Sequence, residues 1–263
     1  MIELDHLVKK FGDLTAVDGI SLKVAQGEFF AVLGPNAAGK TTMIKMMTGL
    51  IKPTSGHARI CGYDVQSHSL EARRRLAYVR DFPFLYDKLT AWEFFRFTGQ
   101  MFHLDVNRIH KNARELVARF HLAEFVDRPL EGLSHGTRQR VAIVSALLHE
   151  PQVFIIDEPM VGLDPQHARV VKDVLKERSL AGMTVMVSTH QLSIAEEMSD
   201  RIGIIKGGKM IAVGTREELR QQSGAKDALE EIFLSLTGNG AASPDIVLPA
   251  AGKNPVRGSS ENS

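Results

Sequence analysis

A chain of 263 residues that is 44% hydrophobic and 24% charged carries enough apolar material for one large domain or two lobes. Its 32 Lys and Arg balance 31 Asp and Glu, so the basic excess that gives nucleic-acid binders most of their affinity is missing and no nucleic-acid partner is expected. Met1-Ile2-Glu3-Leu4-Asp5 has neither the basic nor the apolar part of a leader, no uncharged apolar run reaches about 18 residues, and a single cysteine, Cys61, makes no intramolecular disulfide; neither export nor a membrane span is expected.

The first segments alternate in the manner of strands: Ile2 to Val8, Gly19 to Val24 and Glu28 to Leu33, with Gln26-Gly27 marking a hairpin between the last two. Directly after the apolar run comes Gly34-Pro35-Asn36-Ala37-Ala38-Gly39-Lys40-Thr41-Thr42, the pattern G-x-x-x-x-G-K-S/T. Backbone N–H groups of such a loop converge on phosphates, and a helix expected over Thr41 to Leu50 adds its positive end. Lys40 is placed to reach the β- and γ-phosphates and the Thr41 hydroxyl to ligate Mg²⁺. Cys61 falls in a strand-like run and reads as a small buried hydrophobe. Arg73-Arg74-Arg75 is short and isolated, a solvated helix face.

From about Thr90 to Glu150 the pattern turns helical. Thr90 with Glu93 makes a capping box, and Val106, Ile109, Ala113, Leu116, Val117 and Phe120 form a stripe of period 3.6. Leu133 to Arg140 precedes a helical run, Val141 to Leu148, which makes Ser134 an N-cap at a potential anion site. Beyond Pro151 strands return. Val153 to Ile156 ends in Asp157 and Glu158, adjacent carboxylates that point in different directions on an extended chain. Asp157 is assigned to the Mg²⁺ hydration shell opposite Thr41, and Glu158 to the water that attacks the γ-phosphate. A strand at Thr184 to Ser188 and a hairpin over Ile202 to Val213, turning at Gly207-Gly208, follow. After Gly238 the chain is polar and small, suited to a flexible tail over 238–263.

The order of phosphate loop, helical inset, Leu-Ser-x-Gly helix, Asp-Glu strand and Ser-Thr-His strand end closely resembles the ABC-type ATPase, the nucleotide-binding subunit of ATP-binding-cassette transporters. The resemblance covers residues 2 to 237. It implies an α/β fold: a P-loop ATPase core with an N-terminal antiparallel β subdomain and an α-helical subdomain inserted at about 82–150, within one ATPase domain over 1–237. It implies that Phe11 stacks on adenine, that 34–42 is the Walker A loop and that Val153 to Glu158 is the Walker B strand. It further implies that Ser134 and Gly136 contact ATP held by an opposite subunit, that Asp164 lies in a loop touching that subunit, and that His190 senses the γ-phosphate.

Four positions depart from the family pattern. Ala37 stands where glycine is usual, and a positive φ there would cost about 1–2 kcal/mol. His135 and Thr137 replace a glycine and a glutamine of the signature. Asp81 stands where a Gln or Glu contacts Mg²⁺ and water, shorter by one methylene.

What the resemblance implies is a subunit that binds and hydrolyses ATP with Mg²⁺, dimerises with itself or a homologous ATPase subunit, and drives separate permease chains from the cytoplasmic side of the membrane, in exporter fashion. The rival is a soluble ABC ATPase that remodels or scaffolds a cytosolic partner. Eight aromatic residues crowd into Phe82 to Phe102. Trp92, Phe95 and Phe102 are expected to face the core, and Phe94, Phe97 and Met101 to face a permease.

Overall fold

The computed structural model describes residues 1–223 and 229–237; the tail expected at 238–263 lies outside the described residues. Strands β1 (Ile2–Phe11) and β2 (Leu14–Val24) form an antiparallel hairpin that turns on Gly12, whose φ of 56° suits glycine. Their alternation buries Ile2, Leu4 and Leu7 with Val17, Ile20, Leu22 and Val24 on one face. Strands β4 (Ser55–Ile60) and β5 (Tyr63–Asp64) complete this sheet in the order β2-β1-β4-β5.

The second sheet contains β3 (Phe29–Leu33), β6 (Leu76–Val79), β7 (Val153–Asp157), β8 (Thr184–Thr189), β9 (Arg201–Lys206) and β10 (Lys209–Gly214), in the order β10-β9-β3-β8-β7-β6. All its pairs are parallel except β9 with β10, the hairpin expected at Gly207-Gly208. Every residue of β3, β7 and β8 is buried, as in a sheet covered on both faces. Side-chain alternation splits the core in two. Phe29, Ala31 and Leu33 join one apolar cluster, whereas Phe30 and Val32 join the other, against the antiparallel sheet.

Gln26-Gly27 is a turn but not a hairpin. β2 and β3 lie in different sheets, because β3 is apolar on both faces and its burial is complete only at the centre of the covered sheet. Cys61 sits on the turn between β4 and β5 with φ 51°, only partly buried, and burial raises its thiol pKa. Arg73 and Arg74 end α2 (Ser69–Arg74) in solvent, but Arg75 stacks over the Tyr63 ring at 4.4 Å.

Helix α1 (Lys40–Met47) stops short of Leu50, where the Thr48 hydroxyl donates to the Ile44 carbonyl at 2.9 Å and Gly49 takes φ 69°. Between β6 and β7 lie α3 (Ala91–Met101), α4 (Val106–Arg119) and α5 (His135–Leu147). The capping box forms as expected, with the Glu93 N–H donating to the Thr90 hydroxyl and the Thr90 N–H donating to the Glu93 carboxylate. On α4 the stripe from Ile109 to Phe120 is buried, while Val106 remains exposed. Helix α5 starts at His135, earlier than the expected Val141, because the Ser134 cap opens it. Helices α6 (Pro165–Leu180), α7 (Leu192–Met198), α8 (Arg216–Ser223) and α9 (Leu229–Thr237) complete the described chain, none of whose helices is long and apolar enough to cross a membrane.

Candidate functional site at the rim of the parallel sheet

Parallel register delivers the site. Leu33 pairs with Thr189 and Asp157 with Ser188, so the strand ends bring the loop at Gly34, the carboxylates of Asp157 and Glu158, and His190 to one rim. The loop itself is shaped by its small residues. A Cβ on Gly34 would stand 2.4 Å from the Ile205 carbonyl oxygen, and Gly39, at φ 108°, caps α1 without any side-chain hydrogen bond. The first intrahelical bond is Met43 N–H to the Gly39 carbonyl, so the amides of Lys40, Thr41 and Thr42 have no intrahelical partner and open onto the loop. Ala37 has φ 62°, the left-handed conformation at which its methyl group is strained.

Lys40 is buried at 7% exposure, and its ammonium donates to the carbonyls of Gly34 at 2.6 Å and Pro35 at 3.1 Å. Burial lowers its pKa, against the attraction of Glu158 and Asp157. The Thr41 hydroxyl donates to Asp157 Oδ2 at 2.9 Å, and the Ser188 hydroxyl donates to Oδ1. Burial nevertheless raises the Asp157 pKa, with smaller contributions in the same direction from Asp81 and Glu158. A desolvated carboxylate beside a hydroxyl is a pair of hard oxygen donors suited to a small dication. Among the described residues no three His, Cys, Asp or Glu side chains form a self-sufficient metal cage, so the protein offers only part of a coordination shell.

Glu158 diverges from Asp157 for a different reason than strand alternation: its φ of 47° takes the chain out of the extended conformation. Three donors fix its carboxylate. The His190 N–H reaches Oε1 at 3.1 Å, His190 Nδ1 lies 2.8 Å from the same oxygen, and the Thr189 hydroxyl donates to Oε2 at 3.1 Å. In the sequence Ser188 and Thr189 count only as part of the Ser-Thr-His strand end; their role as donors to the two carboxylates comes from the strand that pairs with β7.

Asp81 is exposed and turned back on its own loop, where Oδ1 accepts from the Phe82 N–H at 2.8 Å. Phe11 is 50% exposed, with the Lys9 ammonium 5.0 Å from its ring centre.

The segment from Ser134 onward forms a second polar patch. Ser134 caps α5 by accepting from the Thr137 N–H at 3.2 Å, and the Ser134 and Thr137 hydroxyls share a 2.9 Å hydrogen bond. Thr137 is buried and also accepts from Arg140 at 3.2 Å. Asp164 caps α6 by accepting from the His167 N–H, which lowers its pKa. Gly136 faces the backbone of Gly162 so closely that a Cβ would stand 2.5 Å from the Gly162 carbonyl oxygen.

The ABC transporter family profile matches residues 17–161 of the chain. The chain belongs to the ABC transporter family. It is 36% identical over 230 residues to the linearmycin resistance ATP-binding protein LnrL of Bacillus subtilis, covering 88% of this chain and 74% of that protein. It is 34% identical over 241 residues to the daunorubicin resistance ATP-binding protein DrrA3 of Streptomyces coeruleorubidus, covering 92% and 76%. Among solved structures, an ATP-binding subunit of an ABC transporter superposes with a TM-score of 0.86 at 32% identity, over 90% of this chain and 99% of that one. A dimeric post-hydrolysis ATP-binding cassette, bound to ADP and phosphate, superposes with 0.76 at 28% identity, over 82% and 98%. The chain is thus an ATP-binding, ATP-hydrolysing subunit with the fold of an ABC cassette, and the α/β class expected from the motifs holds.

In the aromatic stretch one expectation is corrected. Phe94 does not face outward: it is 6% exposed and packs in the core beside Phe95. The outward set is Phe82, Phe84, Tyr86, Phe97 and Met101, in which Tyr86 contacts Phe84 and Phe97 edge to face at 5.9 and 5.3 Å. Period alone assigned Phe94 to the wrong face, because α3 packs against both α4 and α5 and so buries more than one stripe.

Proposed function

We propose that this subunit, as one ATPase domain over residues 1–237, drives export of a small molecule through separate permease chains from the cytoplasmic face of the membrane. The observation that carries the reading is the convergence of Lys40, the Thr41–Asp157 pair and the three-donor cradle of Glu158 at one strand-end rim. Relatives named for linearmycin and daunorubicin resistance support the outward direction.

In this reading the amides of 34–42 and Lys40 hold the triphosphate, and Phe11 stacks on the base. Lys40 leaves the carbonyls of Gly34 and Pro35 for the phosphates, a better match for an ammonium that burial now penalises. Thr41 and Asp157, with Asp81, would hold Mg²⁺, and the ion would supply neutralisation of phosphate charge. Glu158 accepts the proton of the attacking water, or orients that water, while His190 fixes the carboxylate and senses the γ-phosphate. Ser134, Gly136 and Asp164 serve the nucleotide of a second copy or a homologous subunit, so that two ATP molecules are sandwiched in the dimer. The exposed aromatics of 82–101 receive a cytoplasmic segment of the permease.

The test is purification of the Glu158→Gln chain from membranes with ATP and Mg²⁺. Recovery of a stable dimer on a polytopic membrane protein is expected, and Phe84→Glu with Phe97→Glu abolishes that recovery while ATP binding is kept. Recovery only with a soluble partner would overturn the transport reading in favour of cytosolic remodelling.

A further inference from the structure

His135 is one of the two residues at which the signature segment departs from the family pattern, and its ring occupies a tight place. The imidazole centroid lies 4.8 Å from that of Phe82, with the planes tilted by 55°. On another side the Gly162 backbone comes so close that a Cβ there would stand 2.3 Å from His135 Nδ1. Gly162 has φ 77°, so glycine is required both by conformation and by the imidazole. One position on, Gly136 meets the Gly162 carbonyl with equally little room. The loop carrying Leu163 and Asp164 therefore lies directly on the first turn of α5, with the imidazole wedged between that loop and Phe82.

Three polar segments of the site meet at this ring. Phe82 follows Asp81 and donates its N–H to that carboxylate; Gly162 lies two residues before Asp164; His135 follows Ser134. Among the described residues His135 Nε2 is buried without a hydrogen-bond partner, which costs free energy, and Phe82 remains 73% exposed.

We propose that His135 is a positioning residue of the ATPase cycle: its ring ties the Asp81 loop and the Gly162–Asp164 loop to Ser134 within one subunit, so that displacement of one is passed to the others. This rests on the reading of Asp81 and Ser134 as nucleotide-contacting residues.

The test is a double-mutant cycle on the purified full chain, reading kcat and KM for ATP with Mg²⁺. His135→Ala and Phe82→Ala are each expected to lower kcat by about two- to tenfold, the range of a single aromatic pair, with KM within about twofold. The double variant is expected to be no worse than the poorer single, and His135→Phe, which keeps a ring, to restore most of the rate. In the wild type the His135 ring protons carry an upfield NMR shift from Phe82 that Phe82→Ala removes. Losses that multiply in the double variant, wild-type kcat in Phe82→Ala, or no ring-dependent shift would each overturn the proposal. Because Phe82 is exposed, its variant folds even where His135→Ala does not. Asp81→Ala is measured alongside: unchanged turnover there sinks the reading of Asp81, whereas the His135–Phe82 contact is judged by the non-additivity alone.

Discussion

The phosphate-loop rim and the signature face use aspartates in opposite ways. At the rim, Asp157 is buried between two hydroxyl donors and burial raises its pKa; on the signature face, Asp164 is exposed and the hydrogen bonds of His167 lower its pKa. The rim gathers desolvated charge that is costly until a cationic and anionic ligand pair arrives. The signature face is locally satisfied, with Ser134 exposed and capped onto its own helix. The first therefore suits chemistry within one chain, and the second suits recognition across a dimer.

The largest expected effect lies at the rim. Glu158→Gln keeps the shape of the three-donor cradle but removes the carboxylate, and steady-state turnover falls by about a hundredfold or more while ATP binding persists. Lys40→Ala differs by weakening the bound triphosphate itself, read by titration with a fluorescent ATP analogue. Near-wild-type turnover in Glu158→Gln would break the division of labour.

Next comes the signature face. Ser134→Ala is expected to lower turnover by about tenfold, of the order of one lost charge-assisted hydrogen bond, without changing ATP affinity of the monomer. The lost N-cap costs about 1 kcal/mol of stability, visible in Tm. A drop in monomer affinity would erase the contrast between the two regions.

Asp81 sits between them. Asp81→Ala should slow turnover severalfold, of the order of 1 kcal/mol, while affinity changes less, because its carboxylate rests on the Phe82 N–H and not on the loop that holds the triphosphate. Equal losses in both would remove it from the Mg²⁺-sensing role. Within the loop, Ala37→Gly relieves the left-handed alanine at φ 62° and raises stability by roughly 1 kcal/mol, less the entropy glycine adds to the unfolded chain.

The smallest effects concern pH, without nucleotide or Mg²⁺. The folded pKa of Asp157 is above 3.8, so its ionisation costs stability as pH rises from 3.8 through that raised value. Asp157→Asn should therefore raise Tm at neutral pH and lose that advantage below 3.8. The folded pKa of Asp164 is below 3.8, so its contribution is present above 3.8 and fades as pH falls through the lowered value. Asp164→Asn should accordingly lower Tm at neutral pH only. Shifts of the same sign in both variants would contradict the difference between the regions.

The phosphate loop, the carboxylate strand end, the capping box and the Ser134 cap were legible in the sequence, because each depends on residue types at fixed short spacing and on local backbone geometry. So was the α/β class, from apolar runs alternating with helical periods. Tertiary structure alone decided the rest. Whether the turn at Gln26-Gly27 joins one sheet or two depends on where the doubly apolar β3 finds cover on both faces. Phe94 is inside because α3 meets two neighbours, which no single-helix period records. Ser188 and Thr189 hold the two carboxylates through the parallel register of β7 and β8, and the imidazole of His135 meets Phe82 and Gly162 across wide sequence gaps. Local signals fix what each segment can become, but contacts between distant segments are set by the packing that buries them all at once.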